Sequence, residues 1–390
     1  MIAQSSHNYG TDKRYPFSRS WRWYFVRLFD FFFDPFSKRF HQSEFPKSVK
    51  NILVIRLDQI GDLVCSLPVF RILKRRFPDA KITTLVGQEG KAVLDQNPFI
   101  DRLIVFRSNW FSRNRWANPL EFFQVFSELR KTQYDLGFDL RGDLRNIVLM
   151  TLAGVRYRIG YGIAGGGGLL HKAYEYDQSL HQVELNLKLV TDESVQKVNL
   201  KPEIHLTPDE KNDALRRLRD FGIQEKARLI AIHPEAGYPS KEWGEHKFKQ
   251  LIEGLLTDSQ SQILIFGLSR ANKIAEHFSS SNRVINLVDK LSLRKMIAVL
   301  SRCHLFIGND SGPSHIAQAL GIPAVVIASG QNEYDKWGIW TEPSRILKHQ
   351  VPCSPCHLRY CNVEGHPCMS RISVEGVFQA AQGLSAGARS

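Results

Sequence analysis

The chain has 390 residues, too many for one ordinary core and suited to two domains. Hydrophobic residues make up 43% and aromatics 11%, which excludes a disordered chain. A formal net charge of +13 points to an anionic partner: nucleic acid, an acidic membrane surface or a phosphorylated substrate. No run is apolar for long enough to span a bilayer, since Arg56 and Asp58 interrupt the apolar Ile52–Ile55 at once. Met1–Arg14 is polar and shows no cleavable signal pattern, so the expected location is the cytosol, where thiols stay reduced.

Residues 1–48 read as a separate extension. Trp21, Trp23, Tyr24, Phe25, Phe29, Phe31, Phe32 and Phe33 are interleaved there with Arg14, Arg19, Arg22, Arg27, Lys38 and Arg39. Rings and cations mixed this way suit a water–lipid interface. The competing reading is a helix packed on the first domain. Membrane association is favoured because the aromatics outnumber what one docked helix needs.

A parallel-strand run follows at Asn51–Leu57, then the turn Asp58–Asp62 and helical spacing over Leu63–Phe77. Ile82–Val86, Leu103–Phe106 and Tyr134–Leu140 read as further strands. Gly165–Gly168 reads as a mobile loop, not a phosphate cradle. The pattern restarts with strands at Arg228–His233, Gln262–Phe266, Val284–Leu287, Leu305–Asp310 and Ala324–Ala328. Two doubly wound parallel α/β sheets in tandem are therefore expected. The first domain covers 49–205 and the second 206–371, joined near Leu200–Pro208, with a helix and tail over 372–390.

Ligands of such sheets bind beyond the carboxyl ends of the strands. Three loops there carry polar residues that folding does not require. In Asp58–Asp62, Asp62 is a helix N-cap or, at the mouth of a cleft, a base for a sugar hydroxyl. In His233–Trp243, Lys241 is a surface lysine or the cation that neutralises a diphosphate leaving group. Asp310-Ser311-Gly312-Pro313-Ser314-His315 opens a helix whose free N–H groups favour phosphate. Asp310 would repel a phosphate set against it, so it is assigned to donor sugar hydroxyls or to orienting Lys241. An N-cap followed by a core histidine is the plainer account of this loop.

At these loops the sequence resembles glycosyltransferase family nine, the lipopolysaccharide heptosyltransferases. The matching text is Ile52–Asp62 with Leu67-Pro68, Asp139-Leu-Arg-Gly142, Lys241-Glu-Trp243, Asn309–His315, and the tail Cys353-Ser-Pro-Cys356 with Cys361 and Cys368. The resemblance implies a GT-B fold, with two Rossmann-like domains facing a cleft. It also implies inverting, metal-independent transfer of heptose from ADP-L-glycero-D-manno-heptose to the inner core. Position by position, Asp62 matches the general base and Lys241 the lysine at the diphosphate. Asp310 matches the sugar-contacting acid, Ser311 and Gly312 lie at the phosphates, and His315 closes the donor motif. The sequence departs from the family pattern at Glu235, where glycine is common, and at Gly244, where proline is usual.

The resemblance gives the basic balance a candidate reason. A lipopolysaccharide core carries carboxylates and phosphates, so Arg141, Arg145, Arg156 and Arg158 are expected acceptor contacts. The face bearing Arg71, Lys74, Arg75 and Arg76 reads as solvated surface. The implied partners are ADP-heptose, the anionic acceptor and the cytoplasmic leaflet of the inner membrane. Nucleic acid is not among them, since no stacking or helix-turn-helix pattern is present. Cys353, Cys356, Cys361 and Cys368 could hold a structural zinc, but the second pair is spaced too widely for a zinc ribbon. Reduced, packed cysteines are the expected state, and no cofactor is required. The alternatives are a same-fold transferase using another nucleotide sugar or glycan acceptor, and a basic membrane-associated binding protein without catalysis.

Overall fold

The computed structural model describes residues 20–33, 44–107, 118–191, 200–224 and 227–387. These form two compact units. The first unit holds the described residues up to Gln59 together with Pro68–Lys91 and Pro98–Val195. The second begins at Gln196 and also takes Ile60–Leu67 and Ala92–Asn97 out of the N-terminal half.

The first unit has a six-stranded sheet of β1 (Asn51–Arg56), β2 (Lys81–Val86), β3 (Arg102–Val105), β4 (Leu136–Asp139), β5 (Tyr157–Tyr161) and β6 (Lys172–Tyr174). Their order is β3-β2-β1-β4-β5-β6, and every pair is parallel. Ile52–Ile55 is fully buried, as a strand covered on both faces requires. The helices of this half are α1 (Ser20–Phe33), α2 (Ile60–Val64), α3 (Leu67–Arg76), α4 (Gln88–Leu94), α5 (Pro119–Arg130), α6 (Leu144–Leu152) and α7 (Gln182–Lys188).

The second sheet runs β12-β11-β10-β7-β8-β9. It comprises β7 (Arg228–His233), β8 (Ser261–Ile265), β9 (Val284–Asn286), β10 (Leu305–Asn309), β11 (Ala324–Ala328) and β12 (Ser344–Lys348). Its helices are α8 (Pro208–Asp220), α9 (Glu245–Leu255), α10 (Asn272–His277), α11 (Leu293–Leu300), α12 (Gly312–Ala319), α13 (Tyr334–Trp337), α14 (Pro367–Ser370) and α15 (Val374–Gly387). Beyond residue 371, Val377, Ala381 and Leu384 of α15 are buried in the second core. Both sheets reverse direction between their first and fourth strands, β1/β4 and β7/β10. Such switch points open the crevice where ligands enter.

Three expectations need correction. The helical spacing over Leu63–Phe77 is two helices, not one. Pro68 has no N–H to give to the carbonyl of Val64, and Ser66 turns its hydroxyl back onto Leu63 O at 2.6 Å. The break falls where the chain passes from the second unit back to the first. Gly165–Gly168 is packed, not a mobile loop. Gly165 and Gly166 adopt φ of +91° and +79°, and a Cβ on Gly165 would lie 2.4 Å from Val26 of α1. Arg158 is interior. It sits on β5, is 4% exposed, and donates to Leu169 O and Val155 O at 2.8 Å each. Its guanidinium holds the sheet edge and cannot be offered to an acceptor.

Candidate functional site

The loops after β7 and β10 meet at the second sheet's switch point. Lys241 lies in a short 3-10 turn, Pro239–Lys241, and Asp310 follows β10 directly. Their side chains form an ion pair, Lys241 Nζ to Asp310 Oδ2 at 2.6 Å, with exposures of only 14% and 6%. Screening by water is weak at that depth, so the pair fixes the ammonium direction.

Each partner is held from behind. Asn309 is fully buried, accepts the Trp243 N–H at 3.1 Å and donates to Pro234 O at 2.5 Å, which staples the β7 loop to the end of β10. Ser240 donates its hydroxyl to Leu358 O at 2.5 Å and its N–H to Arg359 O at 3.2 Å, and His366 Nε2 lies 3.1 Å from Ser240 O. The cysteine-rich segment therefore clamps the Lys241 turn. All six cysteines are free thiols. Cys353, Cys356, Cys361 and Cys368 line one pocket with His366. Burial and the neighbouring thiols push the Cys368 thiol up. Among the described residues no group of three or more His, Cys, Asp or Glu is arranged to hold a metal ion.

Helix α12 starts at Gly312, after Ser311 in extended conformation. Ser311 donates its hydroxyl to Asn309 O at 3.2 Å, and Ser314 donates to Ser311 O at 2.6 Å. Helix α2 packs on this first turn. A Cβ on Gly312 would lie 3.1 Å from Ile60 Cβ, and one on Gly61 would lie 2.9 Å from His315 Cδ2. Gly61 is thus needed for close approach, not for a turn. Asp62 is the third residue of α2, in the first turn and not at the N-cap. His315 is 5% exposed and its ring rests against Gly61, so it positions the helix that bears Asp62. Gly61→Ala is expected to destabilise the fold by about 1–3 kcal/mol and to lower turnover by moving α2. Unchanged melting and turnover would contradict this packing role.

Both departures from the family text have a structural reason. Glu235 is 5% exposed and accepts the N–H groups of Leu268 at 2.7 Å and Ala271 at 2.8 Å, so it caps the loop after β8. Gly244 has φ of +108°, a conformation closed to proline.

In the first unit, Asp58 sits between Arg56, at 3.0 Å, and Arg141. Arg145 is bidentate on Asp143, at 2.8 and 2.9 Å. The expected acceptor contacts Arg141 and Arg145 thus lie at the carboxyl end of β4, each on a carboxylate. Arg156 is exposed and lies 3.4 Å from Asp135. Asp139 is fully buried and accepts from Gly142 N, Asp143 N and Asn146 Nδ2 at 2.8–2.9 Å, which shapes this loop. Burial pushes its carboxyl from the ordinary 3.8 up to about 7, against the pull of those donated hydrogen bonds. The native chain then holds the proton that the unfolded chain releases. This contribution is complete below pH 3.8 and is lost as pH rises to about 7. Urea midpoints of the first transition should fall between pH 4 and 8, and the fall should shrink in Asp139→Asn. An identical slope in the variant would exclude Asp139 as its origin.

A model of glycosyltransferase family 9 (heptosyltransferase) matches residues 122–366. The chain belongs to glycosyltransferase family 9. Lipopolysaccharide heptosyltransferase 3 of Escherichia coli is 27% identical over 294 residues, covering 72% of this chain and 84% of that one. Lipooligosaccharide heptosyltransferase 2 of Campylobacter jejuni is 25% identical over 338 residues, covering 83% and 95%. Among solved structures, E. coli ADP-heptose lps heptosyltransferase II superposes with a TM-score of 0.71 at 21% identity, covering 87% of this chain and 100% of that one. E. coli heptosyltransferase WaaC with ADP-2-deoxy-2-fluoro heptose gives 0.64 at 18%, covering 85% and 99%. The two six-stranded sheets are the GT-B fold of these family 9 enzymes. Sequence reasoning reached Lys241, Asp310 and Asp62 together only through the family resemblance, since the pattern by itself favours an N-cap at Asp62 and leaves Lys241 balanced between a surface and a site lysine. It missed the supports Asn309, Ser240, Glu235 and His366, although Asn309 stands beside Asp310 in the matched text.

Proposed function

We propose that this family 9 glycosyltransferase transfers heptose, with inversion, from an ADP-heptose donor to the anionic inner core of lipopolysaccharide. The observation that carries this reading is the buried Lys241–Asp310 pair at the start of α12, with the Asp62-bearing helix packed on the same turn.

In this mechanism Asp62 takes the proton of an acceptor hydroxyl, which attacks the anomeric carbon from the face opposite the diphosphate. Charge builds on the departing phosphates. Lys241, the Ser311 and Gly312 backbone and the α12 N-terminus neutralise it, each donor contributing about 3–4 kcal/mol. With that charge supplied by the chain itself, no catalytic metal is required. Asp310 orients Lys241 and receives sugar hydroxyls. Arg141 and Arg145 exchange their carboxylate partners for acceptor anions. A lipid-anchored acceptor would place the protein on the cytoplasmic leaflet of the inner membrane.

The test is incubation with ADP-heptose and truncated core acceptors, read by mass. One added heptose per acceptor, and thermal stabilisation by ADP, are expected. Transfer of another sugar from its nucleotide, with none from ADP-heptose, would reassign the donor. ADP binding with no transfer from any donor would favour the non-catalytic alternative.

A further inference from the structure

The described side chains of helix α1, Tyr24 and Val26–Phe32, divide between a docked side and an exposed one. The Asp30 carboxylate, 2% exposed, accepts the Gly166 N–H at 2.7 Å, Val26 is buried against Gly165, and Phe29 packs on the first core. The opposite side exposes Tyr24, Leu28, Phe31 and Phe32 by 70, 57, 74 and 60%. Spacings of four, seven and eight residues put these four on a single helical stripe. No helix among the described residues is long and apolar enough to cross a membrane. Against Val26, Phe29 and Asp30 on the docked side, the exposed stripe leaves three aromatic rings and a leucine without cover.

The neighbouring helices continue the pattern. Phe29 of α1, Phe122 and Phe126 of α5, and Ile147 and Met150 of α6 all pack on one core. From the sheet, Leu53, Ile55, Leu85 and Ile104 enter it. These strand positions alternate, so the three helices cover the same face of the first sheet. Gly166 bridges α1 to α6, since a Cβ there would meet Leu144 and Ile147, and Arg130 at the end of α5 donates to Leu152 O of α6 at 3.2 Å. On the outside of this layer α5 exposes Leu120 by 71% and Phe123 by 63%, and α6 exposes Leu152 by 50%. Exposed cations stand on or next to these helices at Arg27 of α1, at Arg107 ahead of α5, and at Arg130 and Lys131 at its end, the last paired with Glu128 at 2.5 Å.

We infer that the outer face of α1, α5 and α6 is a docking surface for an anionic lipid bilayer, in which α1 lies in the interface plane. Its rings would enter the headgroup boundary while the exposed cations meet lipid phosphates. The net charge of +13 favours this occupant over a second, equally basic copy of the chain.

The full chain should sediment with phosphatidylcholine vesicles containing phosphatidylglycerol at least about tenfold better than with phosphatidylcholine alone, and salt should weaken the difference. The combined variant Tyr24→Ser, Leu28→Ser, Phe31→Ser, Phe32→Ser should lose about tenfold in partitioning, and Leu120→Ser with Phe123→Ser should lose part of it. Melting temperature and ADP stabilisation should be unchanged in both. Three results would overturn the inference: no binding of the wild type to anionic vesicles, undiminished binding of the variants, or a wild-type dimer that the variants dissolve. Heptose transfer to a soluble acceptor is read in the same preparations. Its absence would count against the transfer reading and leave the lipid result standing.

Discussion

Asp62→Ala should lower turnover by roughly 10²–10⁴-fold while ADP still stabilises the protein. The two readouts separate because the proposed ADP contacts lie on α12 and the Lys241 turn, not on Asp62. Asp62 is neither the cap of α2 nor one of its buried residues. The helix dipole makes a carboxylate in a first turn worth about 0.3–2 kcal/mol there. The packing that seats α2 on α12 runs through Ile60, Gly61 and His315, and alanine at 62 leaves it intact. The Ser311–Gly312 turn, where the diphosphate is proposed to sit, is equally untouched. Asp62→Asn keeps the shape, loses the basicity and should be as inactive as alanine. A variant retaining more than about a tenth of turnover would remove Asp62 from the role of base.

Lys241→Met should be the most damaging change at the donor end, for two reasons that one experiment can separate. The substitution takes the counter-ion from Asp310, whose side chain is 6% exposed. Stranding a buried charge costs about 3–5 kcal/mol. It also removes the cation proposed to meet the leaving group, a further loss of about 3–4 kcal/mol in the transition state. Adding Asp310→Asn should restore most of the stability, because the stranded charge disappears. The double variant should remain inactive and bind ADP weakly, because the cation is still missing. Urea denaturation gives the first quantity, and calorimetry with ADP and turnover give the second. Full recovery of turnover in the double variant would make Lys241 a purely structural residue.

Where side chains are apolar and covered on both faces, the strands were readable from the sequence. Arg228–His233 and Ala324–Ala328 are observed with the expected limits. The strands without that signal were missed. β5 carries Arg158, whose charge argued for a surface until its two carbonyl partners were visible. β6 has three residues, and β12 is a half-exposed edge strand, so neither shows a buried run. The candidate site divides in the same way. Lys241 and Asp310 stand just beyond strand ends and Asp62 in the first turn of the helix that follows β1, within short segments that the sequence displays as contiguous text. Their supports connect positions far apart in the chain, from Glu235 with Leu268, 33 residues on, to Ser240 with Leu358 and His366, 118 and 126 residues on. Linear spacing carries no trace of such pairs.

Helix α2 is made early in the chain, yet it packs on α12. On a ribosome working at about 5–20 residues per second, the intervening stretch of about 250 residues takes roughly 12–50 s to appear. Through that interval the nascent chain carries Asp62 on a five-residue helix whose docking partner does not yet exist. Seating of α2, and with it of the proposed transfer centre, therefore waits for the synthesis of α12. A chain cut short before α12 would keep every residue of the first sheet and still have nothing on which to seat α2 and the proposed base.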